Sequence, residues 1–454
     1  MTARITFLGG VGTVTGSKYL LESGSSKILI DCGLFQGFKQ LRLRNWAHLP
    51  LDPDSINAVL LTHAHIDHSG YIPLFVRNGF KGPIVCTDAT KDLCNILLPD
   101  SAFIAERDAE YANKYGFSKH KPALPLYTQQ DAKVSLKKFN SIPFKEKYNL
   151  TPEITATFIQ GGHILGAAMV QVDVGNKSIL FSGDLGRPND PIMLPPEIIR
   201  HADYLIVEST YGDRRHDKNS PASALADIIC STAHRGGTIL IPAFAVGRTQ
   251  MLLYYLEHLK KSEKIPNIPV FLDSPMAINV SELFRKNEHD HRLSPAESQS
   301  VCAMATYVRD VEESKALNNN PVPKIIVSAS GMATGGRVLH HLKNLAPYQR
   351  NSIVFTGFQA PGTRGAKLVD GADTVKIHGS YINVCAEVHN LSMLSAHADA
   401  HEIMDWLNHF ETPPTKTFIT HGEPAASDAL RHRIEENLGW PCVVPEYRET
   451  IDLS

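Results

Sequence analysis

Three histidines and an aspartate, His63, His65, Asp67 and His68, fall within six residues of one another. Imidazole nitrogens and carboxylate oxygens are donors that suit zinc, with manganese or iron as alternatives. His63 and His65 lie two apart, so in an extended segment they point the same way. Asp67 and His68 follow where the chain begins to turn. Two pairs of donors can then face two neighbouring cations. Further along, His163 sits between glycines in Gly161-Gly162-His163-Ile164-Leu165-Gly166, and Asp184 follows Ser182-Gly183. Glycine lets backbone approach a bound group closely. A carboxylate has two oxygens, so Asp184 can bridge two ions.

These donors need elements to hold them. The apolar run Ile56–Leu61 reads as a buried strand that ends at the histidine loop. Ile28-Leu29-Ile30 delivers Asp31, Lys177–Ser182 delivers Asp184, and Tyr204–Val207 delivers Glu208. Near the end, Lys416–Ile419 delivers His421, and His397 stands just before an amphipathic stretch, Ala400–Phe410. A sheet does not require acids and histidines at its strand ends. Their repetition points to one rim on which a site is assembled. Asp31 reads either as a turn cap or as a group that orients a ligand from behind.

From Ser220 to about Asp373 strands alternate with amphipathic helices, which predicts a parallel sheet covered by helices. This middle region reads as an insertion, so the two ends of the chain form one unit. The expected division is 1–208 and 389–454 for the outer domain and 209–388 for the insert. Within the insert, Ser330-Gly331-Met332-Ala333-Thr334-Gly335-Gly336-Arg337 is a glycine-rich turn between a strand and a helix. Such a turn offers backbone N–H groups to phosphate, although the Gly-Lys-Ser/Thr of a P-loop is absent. Arg248 and Arg364 also lie in glycine-containing turns, and with Ser330, Gly331 and Arg337 they make a candidate phosphate-binding face.

Composition narrows the class. The 454 residues carry 45 Lys and Arg against 47 Asp and Glu, a net charge of -2, so any basic surface is local. Seven scattered cysteines without a C-x-x-C pair argue for reduced thiols and a cytoplasmic protein. No apolar run is long enough to span a bilayer. The segment Phe35–Pro50, with Lys39, Arg42 and Arg44, reads as a solvated loop in preference to a substrate rim.

Through Asp31, His63-Ala64-His65-Ile66-Asp67-His68, His163 and Asp184 the chain resembles the metallo-β-lactamase superfamily. Through Glu208, His397 and His421 it resembles the β-CASP branch. That branch holds ribonuclease J, the nuclease subunit of the cleavage and polyadenylation specificity factor, and short bacterial and archaeal forms. The short bacterial form is the nearest in layout. The resemblance implies an α/β fold, a metallo-β-lactamase αββα sandwich with an inserted α/β β-CASP domain. It implies two zinc ions, with manganese as the alternative. His63, His65 and His163 would hold one, Asp67, His68 and His421 the other, and Asp184 would bridge them. Asp31 would support the site from behind. Asp67, Glu208 and His397 are the implied catalytic residues, with His397, partnered by Glu208, protonating the leaving group.

The implied activity is a zinc-dependent ribonuclease, mainly an endonuclease, acting on RNA through a hydroxide activated by two metals. A homodimer is expected from similar proteins. The alternatives are another hydrolase on this scaffold, for thioesters or small esters, and a catalytically weak RNA-binding subunit.

Overall fold

The computed structural model describes residues 3–116 and 118–453; Met1, Thr2, Phe117 and Ser454 lie outside them. The chain divides into two compact units, one ending at Arg215 and resuming at His397, the other running His216–Ala396.

The first unit is a sandwich of two seven-stranded sheets. One sheet runs in the order Thr450–Leu453, Ala3–Gly9, Lys18–Ser23, Ser26–Ile30, Ala58–Leu60, Ile84–Cys86, Phe139–Ser141. The other runs Cys442–Val443, Lys416–Thr420, Tyr204–Glu208, Lys177–Phe181, Ala168–Val174, Ile154–Gln160, Lys147–Thr151. Between them Phe7, Ile28, Ile30 and Leu60 of the first sheet pack on Phe158, Val172, Phe181, Ile206 and Phe418 of the second. Each such side chain withdrawn from water contributes roughly 1.5–3 kcal/mol. The second sheet's other face, with Leu205 and Val207, packs on Ile403, Leu407, Leu430 and Ile434. These belong to helices Ala400–Leu407 and Pro424–Leu438. This is the αββα sandwich that the resemblance implies.

Strand parity sets up the rim. Tyr204 and Ile206 face the inter-sheet core while Leu205 and Val207 face the helices. Glu208, two residues after Ile206, therefore shares the inner face at the strand's last position. Strands Lys177–Phe181, Tyr204–Glu208 and Lys416–Thr420 are mutually parallel, so Asp184, Glu208 and His421 emerge at one edge. Ser26–Ile30 and Ala58–Leu60 are likewise parallel and deliver Asp31 and the histidine loop together.

The second unit contains a six-stranded parallel sheet, in the order Thr306–Tyr307, Val270–Asp273, Lys324–Ser328, Thr238–Pro242, Ser352–Phe355, Glu387–Asn390. Leu240, Ile326, Ile353 and Phe355 form its core with Val338, Leu339 and Leu342 of helix Arg337–Leu345.

Some elements differ from expectation. The helical pattern of the sequence over Gln129–Phe139 is cut short: the helix ends at Leu136, and Phe139 opens a strand beside Ile84–Cys86. The polar stretch before Lys324 holds two helices, Pro295–Ala303 and Val311–Asn319. Their apolar stripes are thin, but a capping box at Ser294 and Glu297 and the Asp310 cap start them. Phe35–Pro50, read as a loop, contains a short helix, Lys39–Arg44. Among the described residues no helix is long and apolar enough to cross a membrane.

Candidate metal centre

The first cluster gathers His63, His65, His163 and Asp184. His65 Nδ1 lies 3.2 Å from His63 Nε2 and 3.2 Å from His163 Nε2. Asp184 Oδ2 lies 3.4 Å from His63 Nε2 and 3.5 Å from His163 Nε2. Zinc–nitrogen bonds of about 2.0–2.1 Å give a coordination tetrahedron edges of roughly 3.3 Å. The donor separations match that edge, so these four groups fit a tetrahedral cation. Nitrogens turned toward one another around a carboxylate oxygen otherwise make a poor set of mutual hydrogen bonds.

The second cluster gathers Asp67, His68 and His421. His68 Nε2 lies 3.1 Å from His421 Nε2 and 3.2 Å from Asp184 Oδ1. Asp67 Oδ2 lies 3.5 Å from His421 Nε2. Asp184 thus turns one oxygen to each cluster. Asp31 stands behind: its carboxylate accepts from Thr62 N at 2.8 Å and lies 2.7 Å from His68 Nδ1. That contact fixes the His68 ring and leaves Nε2 for the centre. Asp31 and His421 both have left-handed backbone, φ 57° and 49°, uncommon for residues with a side chain. Such strain is typical of functional sites.

Electrostatics agree with a cation site. Burial, followed by the nearby His63, pushes the His65 imidazole down to about 3. Burial and then His397 hold His163 well below its ordinary range. Both rings are therefore neutral, the form that ligates. Burial alone would raise the Asp184 carboxyl, but His421, His68 and His63 outweigh it and keep it well below its ordinary range. Burial likewise opposes charge on His68, yet Asp184 and Asp31 hold its imidazolium well above the usual range. That proton must leave before Nε2 can ligate.

His397 stands beside the centre. Its Nδ1 is 3.0 and 3.1 Å from the Glu208 oxygens, and its Nε2 is 3.9 Å from Asp184 Oδ2. Thr62 and Thr210 carry weight that sequence reading missed. Thr210 Oγ1 donates to Glu208 Oε2 at 2.6 Å and lies 3.1 Å from His421 Nδ1. Each threonine adjoins or nearly adjoins a motif residue, which is the one signal that could have found it.

The five residues of the candidate phosphate face lie in the second unit. Ser330 closes the glycine turn, its Oγ accepting from Thr334 N at 3.0 Å. A Cβ on Gly331 would fall 2.6 Å from the Phe244 ring and 2.9 Å from Phe244 N, so only glycine fits. Arg337 donates to Asp273 at 2.6 Å and to Arg309 O at 2.8 Å. Arg364 donates to Lys376 O at 2.7 Å and to Thr334 O at 3.0 Å. Arg364 thus braces the turn itself and Arg337 ties the turn's last residue to Asp273 and Arg309, roles that the phosphate expectation did not foresee. Arg248 opens helix Arg248–Lys261 and is buried, its Nη2 3.7 Å from the place of a Cβ on Gly357.

Comparison with known proteins agrees with this geometry. Residues 11–222 match the metallo-beta-lactamase superfamily, 249–368 the Beta-Casp domain, and 381–445 the Zn-dependent metallo-hydrolase RNA specificity domain. Ribonuclease TTHA0252 of Thermus thermophilus is 34% identical over 427 residues, 92% of this chain and 93% of that protein. Transcription termination factor FttA of Methanothermobacter thermautotrophicus is 30% identical over 440 residues, 93% of this chain and 67% of that protein. A crystal structure of a protein of unknown function from Enterococcus faecalis V583 shares the fold at TM-score 0.54 and 15% identity, covering all of both chains.

Proposed function

Because the chain belongs to the β-CASP ribonuclease family of the metallo-β-lactamase superfamily, we propose that it cuts internal phosphodiester bonds of RNA with two zinc ions. The observation that carries this reading is the division of seven donor residues into two clusters that share Asp184. His63, His65 and His163 would hold one ion, and Asp67, His68 and His421 the other. Zinc held there supplies a water of lowered pKa and offsets charge on the phosphoryl oxygens.

The chain's own groups account for the leaving oxygen. A departing ribose oxygen needs a proton. Glu208 accepts the Nδ1 proton of His397, which orients the ring and leaves Nε2 turned to the centre. Nε2, facing Asp184, then carries the proton that the leaving oxygen takes. Thr210 fixes the Glu208 carboxylate by its own hydrogen bond. In the insert, Arg248 and the N–H groups of the Ser330-Gly331 turn are the proposed phosphate partners.

A thioester releases a thiolate, which departs without a proton, so a thioester hydrolase has no need of an acid of this kind. The purified protein, with an end-labelled RNA, a matched DNA and a thioester, tests the reading. Internal cuts in the RNA alone are expected. Cleavage of the thioester, or binding of RNA without cuts, would overturn it.

A further inference from the structure

The segment Gly33–Leu51 contains Lys39, Arg42, Arg44 and His48 and not one Asp or Glu, in a chain whose net charge is -2. It also presents large apolar side chains to solvent: Phe38 is 51% exposed, Leu43 54% and Trp46 58%. Buried apolar side chains would explain a helix; here helix Lys39–Arg44 buries none of its residues. Phe38, Arg42 and Trp46 recur at every fourth residue of this single stretch, with Arg42 in the helix and the two rings flanking it. Arg42 N bonds to Phe38 O at 3.0 Å and Trp46 N to Leu43 O at 3.1 Å, which continues the turn through to Trp46.

The stretch is not loose. The buried side chain of Asn45 clamps Phe35, accepting from its N–H at 2.9 Å and donating to its carbonyl at 2.8 Å. The Arg44 guanidinium covers the Tyr447 ring, 4.0 Å from its centroid. The platform is also tied to the metal centre. Leu34 N bonds to Ile66 O and Cys32 N to His68 O, so residues 32–34 pair with the loop that bears Asp67 and His68. Phe38 is four residues beyond Leu34, no more than about 14 Å of extended chain.

Exposed aromatic rings interleaved with cations, free of acids and pinned from below, are what unpaired bases recognise: rings stack and cations meet phosphates. We infer that Phe38-to-Trp46 is a stacking platform for unpaired bases of a single-stranded RNA. This rests on the ribonuclease reading and adds to it the surface, outside the donor clusters, on which the bases stack.

The tryptophans provide the test. Of the three, Trp406 and Trp440 are buried, so a quencher reaches Trp46. Titration of the intact protein with an oligoadenylate of about twelve nucleotides, its backbone sulfur-substituted to resist cleavage, should quench tryptophan emission. A fully paired duplex should not. The Phe38→Ala/Trp46→Ala pair should bind the oligomer about a hundredfold more weakly, roughly tenfold for each lost stack. Trp46→Phe should keep wild-type affinity while losing the quench. The Lys39→Gln/Arg42→Gln pair should flatten the plot of log affinity against log salt by about 1.4. Wild-type affinity in Phe38→Ala/Trp46→Ala, with RNA still cut, would overturn the platform and leave the ribonuclease reading standing. Failure of the wild type either to bind or to cut RNA would overturn that reading itself. A concentration-dependent dimer dissolved by Phe38→Ala/Trp46→Ala, with no quenching by RNA, would make this face a contact between two copies and overturn the platform.

Discussion

Glu208 holds His397 with both carboxylate oxygens, at 3.0 and 3.1 Å from Nδ1, and the same Oε1 accepts Leu185 N–H at 2.7 Å. The carboxylate is buried and fixed on several sides, so the imidazole has one orientation available. His397→Ala should therefore keep its metal and its fold yet cleave more slowly by about a hundredfold to ten-thousandfold. The defect should nearly vanish on an RNA whose scissile linkage carries a sulfur leaving atom, which departs without a proton. Glu208→Gln should show a milder form of both effects. Single-turnover rates on the two substrates check this, and equal defects on both would remove His397 from the proton transfer.

Asp184→Ala should lose metal and activity together. The side chain turns one oxygen to each donor cluster, and without it two cations held there would repel one another unscreened. Metal analysis should find close to two zinc ions per wild-type chain and a marked loss in the variant. Chelation of the wild type should lower its denaturation temperature, since a ligand bound only by the folded state stabilises it. Full activity with one metal or none would refute the two-ion assignment.

Much of this centre was legible because its chemistry is local in sequence. His63, His65, Asp67 and His68 are neighbours on one loop, and strand-end acids stand out against apolar runs. Thr62 and Thr210 were not legible, because a hydroxyl has no type-specific signal: Thr62 acts on Asp31 thirty-one residues away, and Thr210 joins nearby Glu208 to the distant His421. The strands Phe139–Ser141, Lys147–Thr151 and Thr450–Leu453 were missed for another reason. They are short edge strands, and among their residues only Phe139 and Leu453 are buried, so the apolar signal is weak. The helix at Lys39–Arg44 escaped because it buries nothing and so leaves no apolar stripe to read.

Arg248→Ala should weaken RNA binding while leaving metal content intact. The loss should be greatest at low salt and shrink as salt rises, since screening also weakens the wild-type contact. Filter binding over a salt series checks this, with a melting curve to confirm folding because the side chain is buried. Unchanged affinity at low salt would exclude Arg248.

Asp100 offers a pH test away from the centre. Burial raises its carboxyl to about 6. The folded state thus binds this proton more tightly than the unfolded chain does. The stability this contributes is full below the ordinary carboxyl range and is lost as pH rises through about 6. Asp100→Asn should therefore stabilise the protein at pH 7.5, by at most about 3 kcal/mol, since each unit is worth about 1.4 kcal/mol. At pH 4 the two proteins should converge. Denaturant titrations at both values check it; an equal gain at both would mean that charge is not the cause.

The order of the second sheet has a consequence for synthesis. Strand Lys416–Thr420 lies between Tyr204–Glu208 and Cys442–Val443, some two hundred residues after the first of these yet inside the same sheet. A ribosome delivers His63 through Glu208 long before His397 and His421. Until then strand Tyr204–Glu208 has one open edge, and the second donor cluster has only Asp67 and His68. A nascent chain therefore cannot complete its donor set until its message has been read through the codon for His421. Fragments released from a broken message leave the ribosome without the imidazole that closes the centre.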